Sequence, residues 1–278
     1  MCRLLAFASS TSMAILSLLT PDELENYRAM STLHADGWGA AAWTVDDQVT
    51  TVNSVERAID DATFDSVVAS PATAGIVHLR WATAGLPVCL ENTHPFSIGG
   101  WSFAHNGSFP HHERLLNELS AERRSELRGT TDSELYAALV VQRAQELGDI
   151  VAGLRSAIAT IRDVCGLGSL NCLILQPGRL IAAQAVDATK APVQSLRAAV
   201  SHEDELPEGH DENYYRLRYT MRDGSFLVAS TGVATDGWQT LDDDTIIDVD
   251  VAAGQATLLA LDMAEVRSRV TFSSAAVS

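Results

Sequence analysis

The chain begins Met1-Cys2, and this pair defines the chemistry that the other candidates would have to support. With Met1 removed, Cys2 carries a thiol and a free α-amine on one residue. An α-amine has a reference pKa of about 7.7–8.0, so near neutral pH it can take the thiol proton and later return it to a leaving group. The thiolate is the attacking form, and a neighbouring base or positive charge raises its share. The small side chain of Cys2 does not obstruct removal of the methionine. The competing reading is a small buried cysteine with a packing role.

Three other places carry matching chemistry. Arg80 follows the apolar run Gly75 to Leu79 and precedes Trp81. A guanidinium there is costly unless paired, so it is either half of a structural ion pair or a planar fork for a carboxylate. Asn106-Gly107 ends the strand-like run Trp101 to His105. It is either a tight turn or a side-chain amide and a backbone N–H aimed at one oxygen, an oxyanion pair. Thr131 and Glu134 have capping-box spacing at the start of the clearest helix, so Asp132 is either part of a cap or an acceptor for a substrate ammonium. The four places together fit a γ-glutamyl group, with an α-carboxylate, an α-ammonium and a side-chain carbonyl to be attacked.

Other groups lead to bland readings. Asp36 and Trp38, within His34 to Gly39, suggest turn chemistry and core packing. His111 and His112 are adjacent, so on a helix they diverge by about 100° and would not share a metal. No His-Glu-x-x-His spacing occurs, and none of Cys2, Cys89, Cys165 and Cys172 forms a C-x-x-C pair. The set calls for no metal and no cofactor. Cys165 and Cys172 in apolar surroundings suggest reduced core thiols and a cytoplasmic location.

The elements that must hold these residues are mostly strands. Strands are expected at Arg3 to Ala8, Ala40 to Val45, Gly75 to Trp81 and Trp101 to His105, with a hairpin of Leu170 to Leu175 and Leu180 to Val186. Tyr214 to Met221 and Ser225 to Ala229 form a second hairpin, and three closing strands follow from Thr245 to Phe272. Helices are expected at Met13 to Leu19, Ile59 to Ala69, His111 to Leu119, Ala121 to Leu127, from Thr131 onward, and at Ile150 to Val164. The two before Thr131 are expected to be mostly solvated. Residues 202–213 suggest an acidic surface loop. With 278 residues and no linker rich in Gly, Pro or Ser, one domain over 1–278 is expected. The net charge of -17 opposes nucleic-acid binding. The run Leu4 to Leu19, broken by Ser9 to Ser12, is expected to be neither a secretory signal nor a membrane span.

Met1-Cys2, His78-Leu79-Arg80-Trp81-Ala82-Thr83, Asn92-Thr93-His94-Pro95, His105-Asn106-Gly107 and Thr131-Asp132-Ser133-Glu134 occur in the order seen in the class II glutamine amidotransferases, which are N-terminal nucleophile hydrolases. The chain resembles that family over roughly its first half. The resemblance implies an α+β fold, a four-layer α-β-β-α sandwich of two antiparallel sheets. It implies Cys2 as nucleophile, Asn106 and Gly107 as oxyanion hole, Arg80 and Asp132 on the glutamine backbone, and Trp81, Thr83 and His105 around the substrate. Members with an attached synthase commonly carry a histidine where this chain has Ala84 and a Gly-Asp-Ser motif near His34 to Gly39. The chain therefore resembles the stand-alone branch that includes the γ-glutamyl hydrolase of ergothioneine synthesis. Three functions follow as expectations: a glutaminase serving a separate synthase subunit, a γ-glutamyl hydrolase on a small-molecule conjugate, or a catalytically silent binding subunit.

Overall fold

The computed structural model describes residues 2–44, 48–83, 85–186, 191–198, 200, 206–207, 209–233, 237–262 and 266–272. Met1, Ala84 and residues 202–205 and 208 of the expected acidic loop lie outside this set. Strand β1 (Arg3–Met13) is buried on both faces over Arg3 to Ser9, and its alternate side chains enter different cores. Leu4, Ala6 and Ala8 enter one core, while Leu5 and Phe7 enter another. A strand buried on both faces shows a continuous apolar run rather than an alternating one.

The remaining strands are β2 (Trp38–Trp43), β3 (Val49–Ser54), β4 (Ala72–Leu79), β5 (Phe96–Ile98), β6 (Trp101–Asn106), β7 (Asn171–Gln176) and β8 (Arg179–Gln184). They continue with β9 (Leu217–Arg222), β10 (Ser225–Ser230), β11 (Gln239–Thr240), β12 (Thr245–Asp250), β13 (Gln255–Ala260) and β14 (Val266–Thr271). One antiparallel sheet has the order β11-β9-β10-β1-β4-β2-β3, and the other β14-β13-β12-β8-β7-β6-β5. The principal helices are α1 (Pro21–Met30), α2 (Ala62–Val68), α3 (Ala121–Glu126), α4 (Asp132–Leu147), α5 (Ile150–Val164) and α6 (Val193–Ala198).

Three cores define the layers. Leu4, Ile76 and Phe226 of the first sheet meet Ala104, Leu173 and Ala182 of the second between the sheets. Tyr27 and Met30 of α1 and Phe64 of α2 cover the outer face of the first sheet with Leu5, Phe7 and Val77. Tyr136 and Leu139 of α4 and Leu154 and Ile158 of α5 cover the second with Phe103 and Ile174. This is the expected α-β-β-α sandwich.

Several expectations need correction. Met13 to Leu19 is not a helix: β1 runs through the Ser/Thr stretch to Met13, and only a 3-10 turn at Ile15–Ser17 follows. The Ser/Thr side chains favour extended backbone over helix, and Met13 pairs with Ala72 beyond a register shift. His111 takes a left-handed conformation, and the segment after it is a 3-10 helix at His112–Asn117. Leu115 and Leu119 there are buried against α4 and α5, so this region is not mainly solvated. His210, expected on a surface loop, is buried.

Candidate active site

Cys2 lies just before β1, in the middle of the first sheet. β1 pairs with β4 in the register Arg3↔Leu79 and Leu4↔His78, so Cys2 falls opposite Arg80, with His78 diagonal on the same face. That face looks toward the second sheet, where β6 pairs with β7 through Asn106↔Asn171. Ala104 belongs to the core between the sheets, and alternation gives Asn106 the same side. The two sheets therefore bring Cys2 and Asn106 together from positions far apart in the chain. The Cys2 backbone nitrogen donates to Asn106 Oδ1 at 2.9 Å. Asn106 Nδ2 is buried and has no hydrogen-bond partner among the described residues.

Cys2, which carries the thiol, is only 6% exposed. Burial pushes its pKa up. With Met1 in place, the positive charge of the amino terminus, then that of His78, outweighs burial and brings it down to about 5. Sγ also lies 3.9 Å from the Trp81 carbonyl oxygen. Arg3 braces this corner in a way its position in the sequence did not suggest. Its buried guanidinium donates to Cys2 O at 2.7 Å, to Thr231 O and Tyr214 O at 3.0 Å, and stacks 3.7 Å over the Tyr214 ring. The signal available was a charged residue inside an otherwise apolar strand.

A small pocket is lined by Cys2, Arg80, Trp81, Thr83, His105, Gly107 and Asp132, together with Asn92, His94 and Thr131. It gathers the predicted residues around the thiol, with Asn106 beneath. A larger open groove of about 660 Å³ lies elsewhere, between Asn53, Phe96 and Arg128, and is not lined by Cys2.

Arg80 is 3% exposed and donates to the Asp36 and Pro87 carbonyl oxygens. Among the described residues it forms no ion pair with a carboxylate, so the structural-pair reading lacks its partner. The Asp36 carboxylate accepts instead from the Ala82 N–H at 2.7 Å and pins the segment after β4. Trp38 is buried and donates to Asp61. Asp132 is the first residue of α4, while Thr131 is the cap, accepting from Glu134 N. The reciprocal half of the expected capping box is not formed, because the Glu134 carboxylate accepts from Arg128 N and Gly129 N. Asp132 accepts from Phe109 N at 3.2 Å, and its Oδ1 lies 3.2 Å from Ser133 Oγ, whose single proton is given to His105.

Asn106-Gly107 is not a hairpin turn. Gly107 is required by proximity: a Cβ there would lie 2.0 Å from Ser169 O. Gly39 on β2 serves similarly, since a Cβ would lie 2.2 Å from His94 O, and its absence lets the 94–95 segment close over the sheet. Both ring nitrogens of His105 are occupied. Nε2 donates to the Ser169 carbonyl oxygen, so Nδ1 accepts from Ser133 Oγ, each at 2.8 Å. Burial holds its pKa below the ordinary histidine value against the pull of Asp132. Burial, reinforced by His78, takes His94 well below that value.

Residues 1–258 match the family described as glutamine amidotransferases class-II. The chain belongs to this family. Among curated class II relatives, glutamine–fructose-6-phosphate aminotransferase (isomerizing) of Pseudomonas syringae pv. tomato is 35% identical over 111 residues, 40% of this chain and 18% of that one. The enzyme of the same name from Idiomarina loihiensis is 30% identical over 164 residues, 58% of this chain and 26% of that one. The matched regions thus cover about a fifth to a quarter of these two relatives. Among solved structures, a glutamine aminotransferase class-II domain protein from Silicibacter pomeroyi superposes with a TM-score of 0.62 at 17% identity, covering 93% of this chain and 99% of that one. Glutamine phosphoribosylpyrophosphate amidotransferase from Bacillus subtilis gives 0.62 at 16%, covering 94% and 50%. These two likenesses establish the amidotransferase fold. Among the described residues no helix is long and apolar enough to cross a membrane.

Proposed function

We propose that this class II amidotransferase cleaves a γ-glutamyl amide, with glutamine as the reference substrate, through a Cys2 thioester. The observation that carries the reading is the Cys2–Asn106 pair: a buried, acidified thiol next to a buried amide N–H₂ group that lacks an acceptor among the described residues. Arg80 binds the α-carboxylate and Asp132 the α-ammonium, so binding energy goes into orientation. Sγ attacks the γ-carbonyl carbon. Asn106 Nδ2 and the Gly107 N–H receive the oxyanion, each such donor being worth about 2.7–4 kcal/mol in comparable sites. With Met1 removed, the Cys2 α-amine delivers a proton to the departing nitrogen, and water then hydrolyses the thioester to glutamate and free thiol. Free thiols at all four cysteines suit a reducing, cytoplasmic setting.

One feature favours a leaving group larger than ammonia. Buried His34 meets Trp81 edge-on at 5.6 Å and stacks with buried Tyr214 at 6.3 Å, so both back the Trp81 ring, which is the aromatic wall of the pocket. A γ-glutamyl conjugate of a flat amine would lie against it. The test is turnover of glutamine and of γ-glutamyl anilide-type conjugates by the wild type and Cys2→Ala. Steady ammonia release supports a glutaminase, which would feed a separate synthase. Turnover of the conjugate alone supports the conjugate hydrolase. No turnover of either, with Met1 retained, supports a silent binding subunit.

A further inference from the structure

Cys2 is not isolated among buried ligating groups. The Cys2 Sγ and one ring nitrogen each of His78 and His94 all lie within 4.8 Å of one another. The three residues are 6%, 0% and 5% exposed. Neither ring nitrogen of His78, and neither of His94, has an oxygen or nitrogen hydrogen-bond partner among the described residues. The two rings sit 4.5 Å apart, centroid to centroid. Buried imidazoles normally satisfy at least one nitrogen, as His105 does nearby. The functional scheme above uses His78 only through its effect on the Cys2 thiol and does not use His94, so the ring nitrogens of both remain short of partners among the described residues.

We propose that Cys2, His78 and His94 form a binding site for a borderline-soft divalent cation, with Zn²⁺ the best match, and that its occupation caps the nucleophile. A set of one sulfur and two imidazole nitrogens, with no carboxylate, selects zinc-like ions over Mg²⁺ or Ca²⁺. Three protein ligands leave a fourth tetrahedral position for water or another small ligand. Zn–S of about 2.3 Å and Zn–N of about 2.0–2.1 Å require ligand atoms roughly 3.3–3.6 Å apart. The three ligand atoms, now within 4.8 Å of one another, close to that spacing by rotation of the Cys2, His78 and His94 side chains, which leaves the Cys2 backbone on its Asn106 and Arg3 hydrogen bonds. Cys2 binds as the thiolate and both imidazoles bind neutral, so as the Zn–S and Zn–N bonds form, any proton held on Sγ or on a ring nitrogen passes to the buffer. The site itself rests on geometry; only its consequence, reversible inhibition, rests on the proposed role of Cys2.

The test is titration of the whole protein with Co²⁺, a coloured substitute for Zn²⁺, in a phosphine-reduced buffer. The expected result is one tight equivalent with tetrahedral visible bands and a near-ultraviolet thiolate-to-cobalt band, both displaced by Zn²⁺. Cys2→Ser removes the near-ultraviolet band, and His94→Gln weakens binding at least 10-fold, with circular dichroism confirming that each variant is folded. Zn²⁺ also shields Cys2 from iodoacetamide. If His94→Gln does not fold, Cys2→Ser and the iodoacetamide protection decide. Absence of the thiolate band, or Zn²⁺ that leaves Cys2 alkylation unchanged, overturns the site and points to adsorption on the acidic surface. None of these readouts needs glutamine turnover, so failure of the hydrolase reading would be seen separately.

Discussion

Asn106 Oδ1 accepts from the Cys2 backbone nitrogen at 2.9 Å, while Nδ2 of the same side chain is buried without a partner among the described residues. One amide thus performs two jobs: it fixes the nucleophile's residue and keeps a donor in reserve. The two jobs can be separated. Asn106→Asp retains an acceptor for the Cys2 nitrogen but supplies no donor for an oxyanion. It is expected to lower kcat for glutamine or conjugate hydrolysis by about 10²–10³-fold with little change in KM. Steady-state kinetics with a folded-state check by circular dichroism measures this, and an unchanged kcat would remove Asn106 from the oxyanion role.

Arg80 tests the carboxylate end. Its guanidinium is buried and anchored by carbonyl oxygens rather than by an acid. Lysine keeps the charge but loses the fork. Arg80→Lys is expected to reduce kcat/KM by about 10- to 100-fold, the equivalent of one or two charge-assisted hydrogen bonds. The loss should shrink for a substrate analogue whose α-carboxylate is amidated, because that analogue has no use for the fork.

The thiol gives a pH prediction. In the chain that retains Met1, a pKa brought down to about 5 means that the Cys2 thiolate forms as pH rises through about 5, well below an ordinary cysteine. Cys172 is pushed up to about 12 by burial, and burial also raises Cys165. Alkylation at pH 6.5 should therefore modify Cys2 ahead of these two, with a rate half-maximal near pH 5. A rate profile centred near 8 to 9 would contradict the electrostatic picture.

Most strand positions, and the places of the candidate site residues along the chain, were legible because the motifs sit at strand ends and a helix start, where local sequence dictates geometry. Arg80 ends an apolar strand, Asn106 ends another, and Asp132 opens a helix, each visible without any long-range knowledge. What was not legible depends on contacts between distant segments. Nothing local says that the Asp36 carboxylate reaches Ala82 N, or that Arg3 braces Cys2 against Tyr214 and Thr231. The Met13 to Leu19 misreading has the same origin: β1 is extended by pairing with Ala72, a partner that periodicity cannot see. His78 and His94 belong to different segments, so no metal-ligand spacing could have flagged them.

Stability at acid pH has its own anchor on α1. The Glu23 carboxylate pairs with Arg222 at 2.6 and 2.9 Å and accepts from Trp238 Nε1 and Thr20 N. Burial raises its pKa, but the Arg222, Thr20 and Trp238 hydrogen bonds outweigh this and hold it at about 2, against 4.5 for a free glutamate. A depressed carboxyl pKa contributes stability that is present above about 4.5 and is lost as pH falls toward 2. Glu23→Gln is expected to cost about 3 kcal/mol at neutral pH, since it leaves Arg222 without its charge partner. The variant should also show a flatter fall in stability below pH 4.5. Urea unfolding across pH 2.5 to 7 measures both effects, and parallel wild-type and variant curves would refute the assignment.

Intact-mass analysis and peptide mapping after incubation with a glutamine analogue bearing an electrophilic ketone in place of the side-chain amide would bring these strands together. The expected species lacks Met1 and carries one adduct, on Cys2, with labelling abolished in Cys2→Ala and slowed in Arg80→Lys. Protein that retains Met1 and leaves Cys2 unmodified, or an adduct located on another residue, would contradict an amino-terminal cysteine nucleophile in this chain.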